Sequence, residues 1–182
     1  MTAKQQTVFL GLMVLLGICA RVFFHLPNFV PILAIIMVCL RGMSLKVAVP
    51  SILSLLFMSD ILLSPATGFA AFGYWSIFTY SGYLALTLFV LCNGKNWQSS
   101  KQLLMTVPCG FAYWLWTNFG TWVVSGMYQH NIAGLSNCFI QGLPFLRNAV
   151  LGDLLWVASL LVVLRAVSEL KKKQSTVQKA LS

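Results

Sequence analysis

Acidic residues are scarce in this 182-residue chain, which has 3 Asp and Glu against 12 Lys and Arg. Charged residues make up 8% of the sequence, whereas a soluble domain carries roughly 25%. There is no room for a separate soluble catalytic domain. The basic residues lie in short loops and in the C-terminal tail, so they do not form one soluble basic face. We therefore expect no nucleic-acid partner.

Sequence motifs of the common enzyme classes are also missing. The chain has no Gly-x-Ser-x-Gly, no His-Glu-x-x-His and no Gly-x-x-x-x-Gly-Lys-Ser/Thr loop. Its two histidines, His25 and His130, fall in predicted loops without an acid nearby in sequence. Ser59 and Asp60 are adjacent on a predicted helix and should point to different faces, which disfavours a Ser59/His25/Asp60 site. We expect no cofactor and no ATP use by the chain itself, and an enzyme is the less favoured reading.

The cysteines do not form a pattern. Five are scattered along the chain, and their spacing matches neither a disulfide framework nor a metal site. We interpret them as small buried hydrophobic residues. No metal is expected.

Apolar residues dominate what is present. They make up 59% of the sequence, and the mean hydropathy is +0.84. This predicts an all-α polytopic membrane protein in which residues 1–168 form one six-helix transmembrane domain and residues 169–182 a basic cytoplasmic tail that frays. The second span is short against the ~20 residues that a bilayer needs, so we expect it to pack against protein. The predicted spans are 7–24, 31–42, 45–63, 74–91, 102–123 and 143–167.

The basic residues alternate between the two sides of this six-span arrangement. Arg21 and Arg147 fall on one side, and the other ten Lys and Arg fall on the opposite side. Because basic residues collect in cytoplasmic loops, both termini should be cytoplasmic. We predict a multi-pass protein of the bacterial inner membrane.

One stretch, residues 114–122, places aromatic and polar side chains together at membrane depth. Trp114, Asn118, Thr121 and Trp122 share a helical face, which gives aromatic walls around an amide. An amide in hydrocarbon is costly without partners, so Asn118 should face other helices or a cavity. Two interpretations stay open: interfacial aromatics with one interhelical hydrogen bond, or a binding site. A polar loop is expected over 124–142.

Ionisable residues in the outer half of the spans are the other candidates. Asp60 and Asp153 are expected there together with Arg21 and Arg147, and burying any of them unpaired would cost several kcal/mol. The arginines are the natural partners of the acids, but the sequence does not decide which pairs form. The pairs either hold helices together or border an outward-opening pocket. An Asp60–Asp153 acid pair would instead suit an intramembrane enzyme.

Short ordered motifs between Arg21 and Asp153 resemble an uncharacterised family of small bacterial integral membrane proteins. That family is similar to the substrate-binding (S) subunits of energy-coupling factor transporters, which take up vitamins and trace nutrients. The first span does not reproduce the Ala-x-x-x-Ala pattern with which such subunits often dock their coupling subunit. The matching motifs are Arg21…Pro27-Asn28-Phe29-x-Pro31, Ser59-Asp60, Asn118-Phe119-Gly120-x-Trp122, Gly126-Met127-Tyr128, Gly134-Leu135 and Pro144-Phe145…Asn148…Gly152-Asp153.

The resemblance implies a six-helix bundle with a solute pocket open to the extracytoplasmic side. It also implies partners: the lipid bilayer, a small-molecule solute, and a coupling subunit with two ATPases. The expected function is binding of a vitamin-like or trace nutrient in an uptake system; the alternative is an intramembrane enzyme acting on a lipid or lipid-linked substrate. The pocket residues that the resemblance implies are Arg21, Asn28, Asp60, Asn118, Trp122, Tyr128, Asn148 and Asp153.

Overall fold

The structure is a computed structural model that describes residues 3–23, 28–68 and 70–180. These ranges contain helices joined by turns and no strand, which confirms the all-α prediction. His25 and Pro27 lie outside the described residues. The six helices are α1 (Ala3–Phe23), α2 (Ile32–Ala34, continued as a π-helix over Ile35–Leu40), α3 (Leu45–Thr67), α4 (Tyr74–Asn93), α5 (Ser99–Val124) and α6 (Ile132–Ala180).

The short helix α2 and its π-helical continuation form the centre of the molecule. Every residue from Ile32 to Leu40 is buried. Around them α1 packs on α3, α3 on α4, α4 on α5, and α5 on α6. The central segment itself contacts α1, α4, α5 and α6. The second predicted span is therefore enclosed by protein, as its short length indicated.

Within the residues that the structure describes, three helices are long and apolar enough to cross a membrane: Leu45–Pro65 in α3, Tyr74–Asn93 in α4 and Ile132–Thr176 in α6. The apolar part of α1, Gly11–Phe23, is shorter. Large apolar side chains on these helices, such as Phe57, Ile77 and Leu155, point outward and are exposed. Apolar residues that face outward over such lengths are typical of a lipid-facing surface. These helices indicate a membrane protein.

Prolines occur inside the helices, at Pro50 and Pro65 in α3, Pro108 in α5 and Pro144 in α6. Membrane helices tolerate such prolines because neighbouring helices and Ser or Thr side chains satisfy the freed backbone groups. Helix α3 continues through Pro65 and ends at Gly68, whose φ of 74° is left-handed and whose N–H donates to the Ser64 carbonyl at 3.0 Å. The predicted loop over 64–73 thus begins one turn later than expected.

Helix α6 differs most from the sequence prediction. Residues 132–142 were predicted as a loop, yet α6 begins at Ile132. Asn131 explains the start, because its side-chain oxygen accepts the Gly134 N–H at 2.8 Å and so caps the helix. Helix α6 also continues to Ala180, past residue 169 where the basic tail was expected to begin, while fraying of this tail stays a prediction. Residues 169–180 contain no Gly or Pro, so nothing in the sequence interrupts the helix.

Candidate functional site

An ion pair between Arg21 and Asp60 joins the C-terminal end of α1 to α3. The guanidinium Nη2 lies 2.7 Å from the Asp60 carboxylate, and both side chains are largely buried, at 16% and 13% exposure. Arg21 also donates to the hydroxyl of Ser59. Tyr80 on α4 donates its hydroxyl to the second Asp60 oxygen at 2.9 Å. Three helices therefore meet at one satisfied carboxylate.

This arrangement decides between the ion pairs that the sequence left open. Asp60 pairs with Arg21, and Ser59 and Asp60 both reach the same guanidinium because its five N–H donors form a wide fork. Ser59 and Asp60 can therefore point to different faces of α3, as expected from the sequence, and still both contact Arg21. Arg147 is exposed and forms no ion pair within the described ranges. Asp153 has no ion-pair partner there either.

A cavity of about 490 Å³ opens beside this ion pair and is enclosed by residues from all six helices. Four of the residues predicted from sequence line it, namely Arg21, Asn28, Asn118 and Asp153. Asn28 is in the left-handed region, with φ at 60°, a conformation that Asn tolerates better than most residues. Asn28 therefore has a backbone role in the turn before α2 as well as a place in the lining.

Aromatic rings form one wall of this cavity. Tyr83 on α4 and Tyr113 on α5 are stacked, with ring centroids 4.1 Å apart and an interplanar angle of 28°. Beside them Trp114 is buried and donates its indole N–H to the backbone carbonyl oxygen of Gly142 at 3.0 Å. Aromatic pairs in stacked contact contribute packing energy beyond the area that they bury. These rings form an aromatic wall of the cavity.

The amide of Asn118 lies at the edge of the same wall. Its Nδ2 donates to the backbone oxygen of Trp114, one turn earlier, at 2.9 Å. Its Oδ1 faces α6, where a Cβ on Gly142 would overlap it. Asn118 therefore faces protein and a cavity, as its position at membrane depth indicated.

Asp153 on α6 lines the same cavity as Arg21. It is 8% exposed, and no hydrogen bond or ion pair joins it to another residue of the described chain. A Cβ added to Gly110 would lie 3.0 Å from Asp153 Oδ2, so the carboxylate rests against the α5 backbone. A side chain at residue 110 would make this contact tight, and the carboxylate would have to shift by a few tenths of an ångström.

A second cavity, of about 140 Å³, adjoins the first. Arg21, Leu63, Thr67 and Thr79 line both spaces. Asp60 lines only the smaller one and Asp153 only the larger one. The two acids therefore line different cavities, and Asp60 is engaged by Arg21 and Tyr80.

Three residues implied by the resemblance do not line either cavity: Trp122, Tyr128 and Asn148. Trp122 donates its indole N–H to the Gln129 carbonyl at 2.9 Å, and the ring of His130 packs edge-on against it at 5.3 Å. Tyr128 is half-buried in the same turn, and Asn148 is half-buried on α6. Trp122 thus organises the turn between α5 and α6.

A family model matches residues 1–177 of the sequence. The chain belongs to the family of unknown function DUF6580. This agrees with the expectation of an uncharacterised family, while the likeness to transporter S subunits stays a prediction. Neither a curated protein nor a solved structure matches the chain.

Several lining residues of this DUF6580 member were not singled out from sequence. The strongest signal lies on α5, where the cavity-facing positions follow the helical repeat from residue 110 to residue 118. A second signal is the set of hydroxyl side chains in the otherwise apolar α4. The residues concerned are Thr79 and Tyr83 on α4 and Gly110, Tyr113 and Thr117 on α5.

Metal chemistry finds no support in this part of the molecule. Within the described residues, no group of three or more His, Cys, Asp or Glu side chains comes together. The cysteines there are free, and three of them, Cys39, Cys109 and Cys138, are buried. What the larger cavity offers is an aromatic wall, an amide, several hydroxyls and one carboxylate.

Proposed function

We propose that this protein is a membrane-embedded solute-binding subunit of an uptake system. Its six helices cross the bilayer, and the larger cavity receives a small solute from the extracytoplasmic side. The observation that carries the proposal is this cavity of about 490 Å³, enclosed by every helix and lined by Arg21, Asn28, Asn118 and Asp153. Ligand sites typically measure about 300–1,000 Å³ and combine apolar walls with a few polar groups.

The distribution of basic residues supports an extracytoplasmic opening. Arg41 donates to the backbone oxygens of Trp97 at 2.9 Å and Lys95 at 3.3 Å, so the loops before α3 and α5 meet at one end of the bundle. Asp60 lies about four turns after Leu45, the first residue of α3, which is about 22 Å further along the helix axis. Because basic loops stay in the cytoplasm, the Arg41 end is cytoplasmic and the Arg21–Asp60 end faces outward.

The energy source must come from elsewhere, since the sequence has no nucleotide-binding loop. The resemblance to energy-coupling factor S subunits supplies a candidate arrangement, in which a membrane-embedded coupling subunit and two ATPases drive the reorientation of this chain. The first helix lacks the small-residue pattern that such subunits often use for docking.

An intramembrane enzyme acting on a lipid remains the competing class, but the geometry favours it less. Asp60 is already held by Arg21 and Tyr80, and a carboxylate tied in this way is poorly placed to accept a proton. Asp153 lies in the other cavity, without a nearby His or second acid among its described lining neighbours. Solute binding requires none of these catalytic arrangements.

The proposal is tested by identifying the small molecules that co-purify with the protein. The full chain is purified from membranes in mild detergent, denatured, and analysed for small molecules by mass spectrometry. A water-soluble metabolite at close to one per chain supports solute binding. Absence of any such molecule, together with turnover of an added lipid that disappears in Asp153→Asn, would establish the enzyme instead.

A further inference from the structure

Within the described residues, Asp153 is the acidic side chain that lines the larger cavity, and it lacks a counter-charge there. Of the described residues that line the cavity, only Arg21 and Asp153 are charged. Arg21 is neutralised by Asp60 at 2.7 Å and gives a further hydrogen bond to Ser59. Asp153 is 8% exposed and has no such partner within the described chain. A buried charge of this kind costs several kcal/mol unless something pairs with it.

The walls of the cavity that Asp153 lines suit a flat ligand. The stacked rings of Tyr83 and Tyr113 and the buried ring of Trp114 all line the same cavity. The faces of aromatic rings carry negative potential, so they attract cations as well as flat apolar groups. The hydroxyl of Thr117 and the amide of Asn118 add two polar groups on the same α5 face.

We propose that the solute is a small planar organic cation whose protonated amine or amidine group binds the Asp153 carboxylate. The inference rests on the solute-binding function proposed above and names its ligand class. The cation supplies the counter-charge that Asp153 lacks, and the aromatic wall holds the flat part of the molecule. Gly110 permits this geometry, because a Cβ there would lie 3.0 Å from the carboxylate oxygen.

Anions and metal ions fit the cavity less well than an organic cation. An anion would need a free cationic group, and the guanidinium of Arg21 is already engaged by Asp60 and Ser59. A metal ion would need several oxygen, nitrogen or sulfur ligands, yet the described lining contains no His, no Cys and no second acid beside Asp153. A planar organic cation needs only one carboxylate and an aromatic surface.

Two measurements test the ligand class. The first identifies the solute that co-purifies with the full chain and with Asp153→Asn. We expect a molecule that is positively charged at neutral pH and is lost from the variant. Glu169→Gln is the matched control, since it makes the same acid-to-amide change on α6 at an exposed position. It should keep the solute.

The second measurement uses benzamidine, benzamide and benzoate as probes of nearly equal shape and different charge. Titration of the solute-free wild-type chain should show that benzamidine binds at least about 25-fold more tightly than the neutral benzamide, which is what the loss of a buried charge pair costs. Benzoate should not bind. This comparison needs no variant, so it decides the matter if Asp153→Asn fails to fold.

The outcomes separate the ligand class from the function. A neutral or anionic co-purified solute, or one retained by Asp153→Asn, would overturn the cation and leave solute binding intact. Equal affinity for benzamidine and benzamide would also overturn it. If no solute co-purifies and no probe binds, the proposed function fails together with the ligand class.

Discussion

Trp114 and Gly142 join α5 to α6 through a hydrogen bond in which the indole N–H donates to the backbone carbonyl oxygen over 3.0 Å. Gly142 is buried, and a Cβ at this position would lie 3.2 Å from the indole nitrogen and overlap the Asn118 amide oxygen. The amide cannot move freely, since its nitrogen donates to the Trp114 carbonyl at 2.9 Å. The missing side chain at residue 142 therefore sets how closely α6 approaches the aromatic wall.

The first prediction concerns this contact. Gly142→Ala should lower the free energy of unfolding relative to Gly11→Ala by about 1–3 kcal/mol, the usual cost of inserting a methyl group into a packed contact. Gly11 is the matched control because a Cβ there meets nothing within 4 Å. Both changes gain about the same helix propensity, so this gain cancels in the comparison. Thermal unfolding in detergent measures both, and equal stabilities would show that the contact is loose.

The second prediction concerns the Arg21–Asp60 pair. Asp60→Asn should destabilise the protein by about 3 kcal/mol, because it leaves a largely buried guanidinium without its counter-charge. Arg21→Gln should do the same from the other side. The double variant should lose much less than the sum of the single losses, since the two residues act as one unit.

The exposed pair Glu169–Lys172 provides the control for this cycle. Its atoms are 2.9 Å apart, about the separation in the Arg21–Asp60 pair, but the side chains are 73% and 63% exposed. A surface pair of this kind couples by only about 0.5 kcal/mol. If the two cycles gave the same coupling energy, burial of the Arg21–Asp60 pair would have no energetic consequence.

Composition predicted the helical fold and the protein-packed second span, because apolar length is written directly in the sequence. It misplaced the start of α6, since Asn131 and Gly134 were read as loop residues although together they form a helix cap. The polar tail is helical as far as Ala180, because nothing in its sequence breaks a helix. The start of α6 is therefore set by local capping, which a hydropathy pattern does not show.

Some residues of the candidate site could be predicted from the sequence, and the others could not, for physical reasons. Ionisable residues at membrane depth are conspicuous, so Arg21, Asp60 and Asp153 could be singled out. Which acid is paired depends on how α1, α3 and α4 approach one another, and this is a property of tertiary packing. Tyr113 was missed because an aromatic residue in an apolar helix has the same sequence signature whether it faces lipid or a cavity.

The third prediction concerns sidedness, on which the outward opening depends. In intact cells, a membrane-impermeant maleimide should label Asn131→Cys, which is exposed in the turn before α6, and should not label Lys95→Cys. Lys95 lies beside Arg41 at the opposite end of the bundle.

The unmodified chain is the control for this labelling and gives the background from its own cysteines, of which Cys92 is exposed. Both positions should be labelled after the membrane is permeabilised. Labelling of Lys95→Cys alone in intact cells would reverse the orientation and place the cavity opening in the cytoplasm.

The fourth prediction separates the position of the Asp153 carboxylate from its charge. Gly110→Ala keeps every charge but places a Cβ 3.0 Å from Asp153 Oδ2 and 3.7 Å from Leu33 Cδ2. The carboxylate must then move by a few tenths of an ångström, and benzamidine should bind about tenfold more weakly, a change of about 1.4 kcal/mol. The stability of the fold should change little, because alanine's gain in helix propensity, about 1 kcal/mol, offsets the crowding.

Gly11→Ala again serves as the control and should leave the affinity for benzamidine unchanged. An unchanged affinity in Gly110→Ala would mean that the ligand does not depend on where α5 holds this carboxylate.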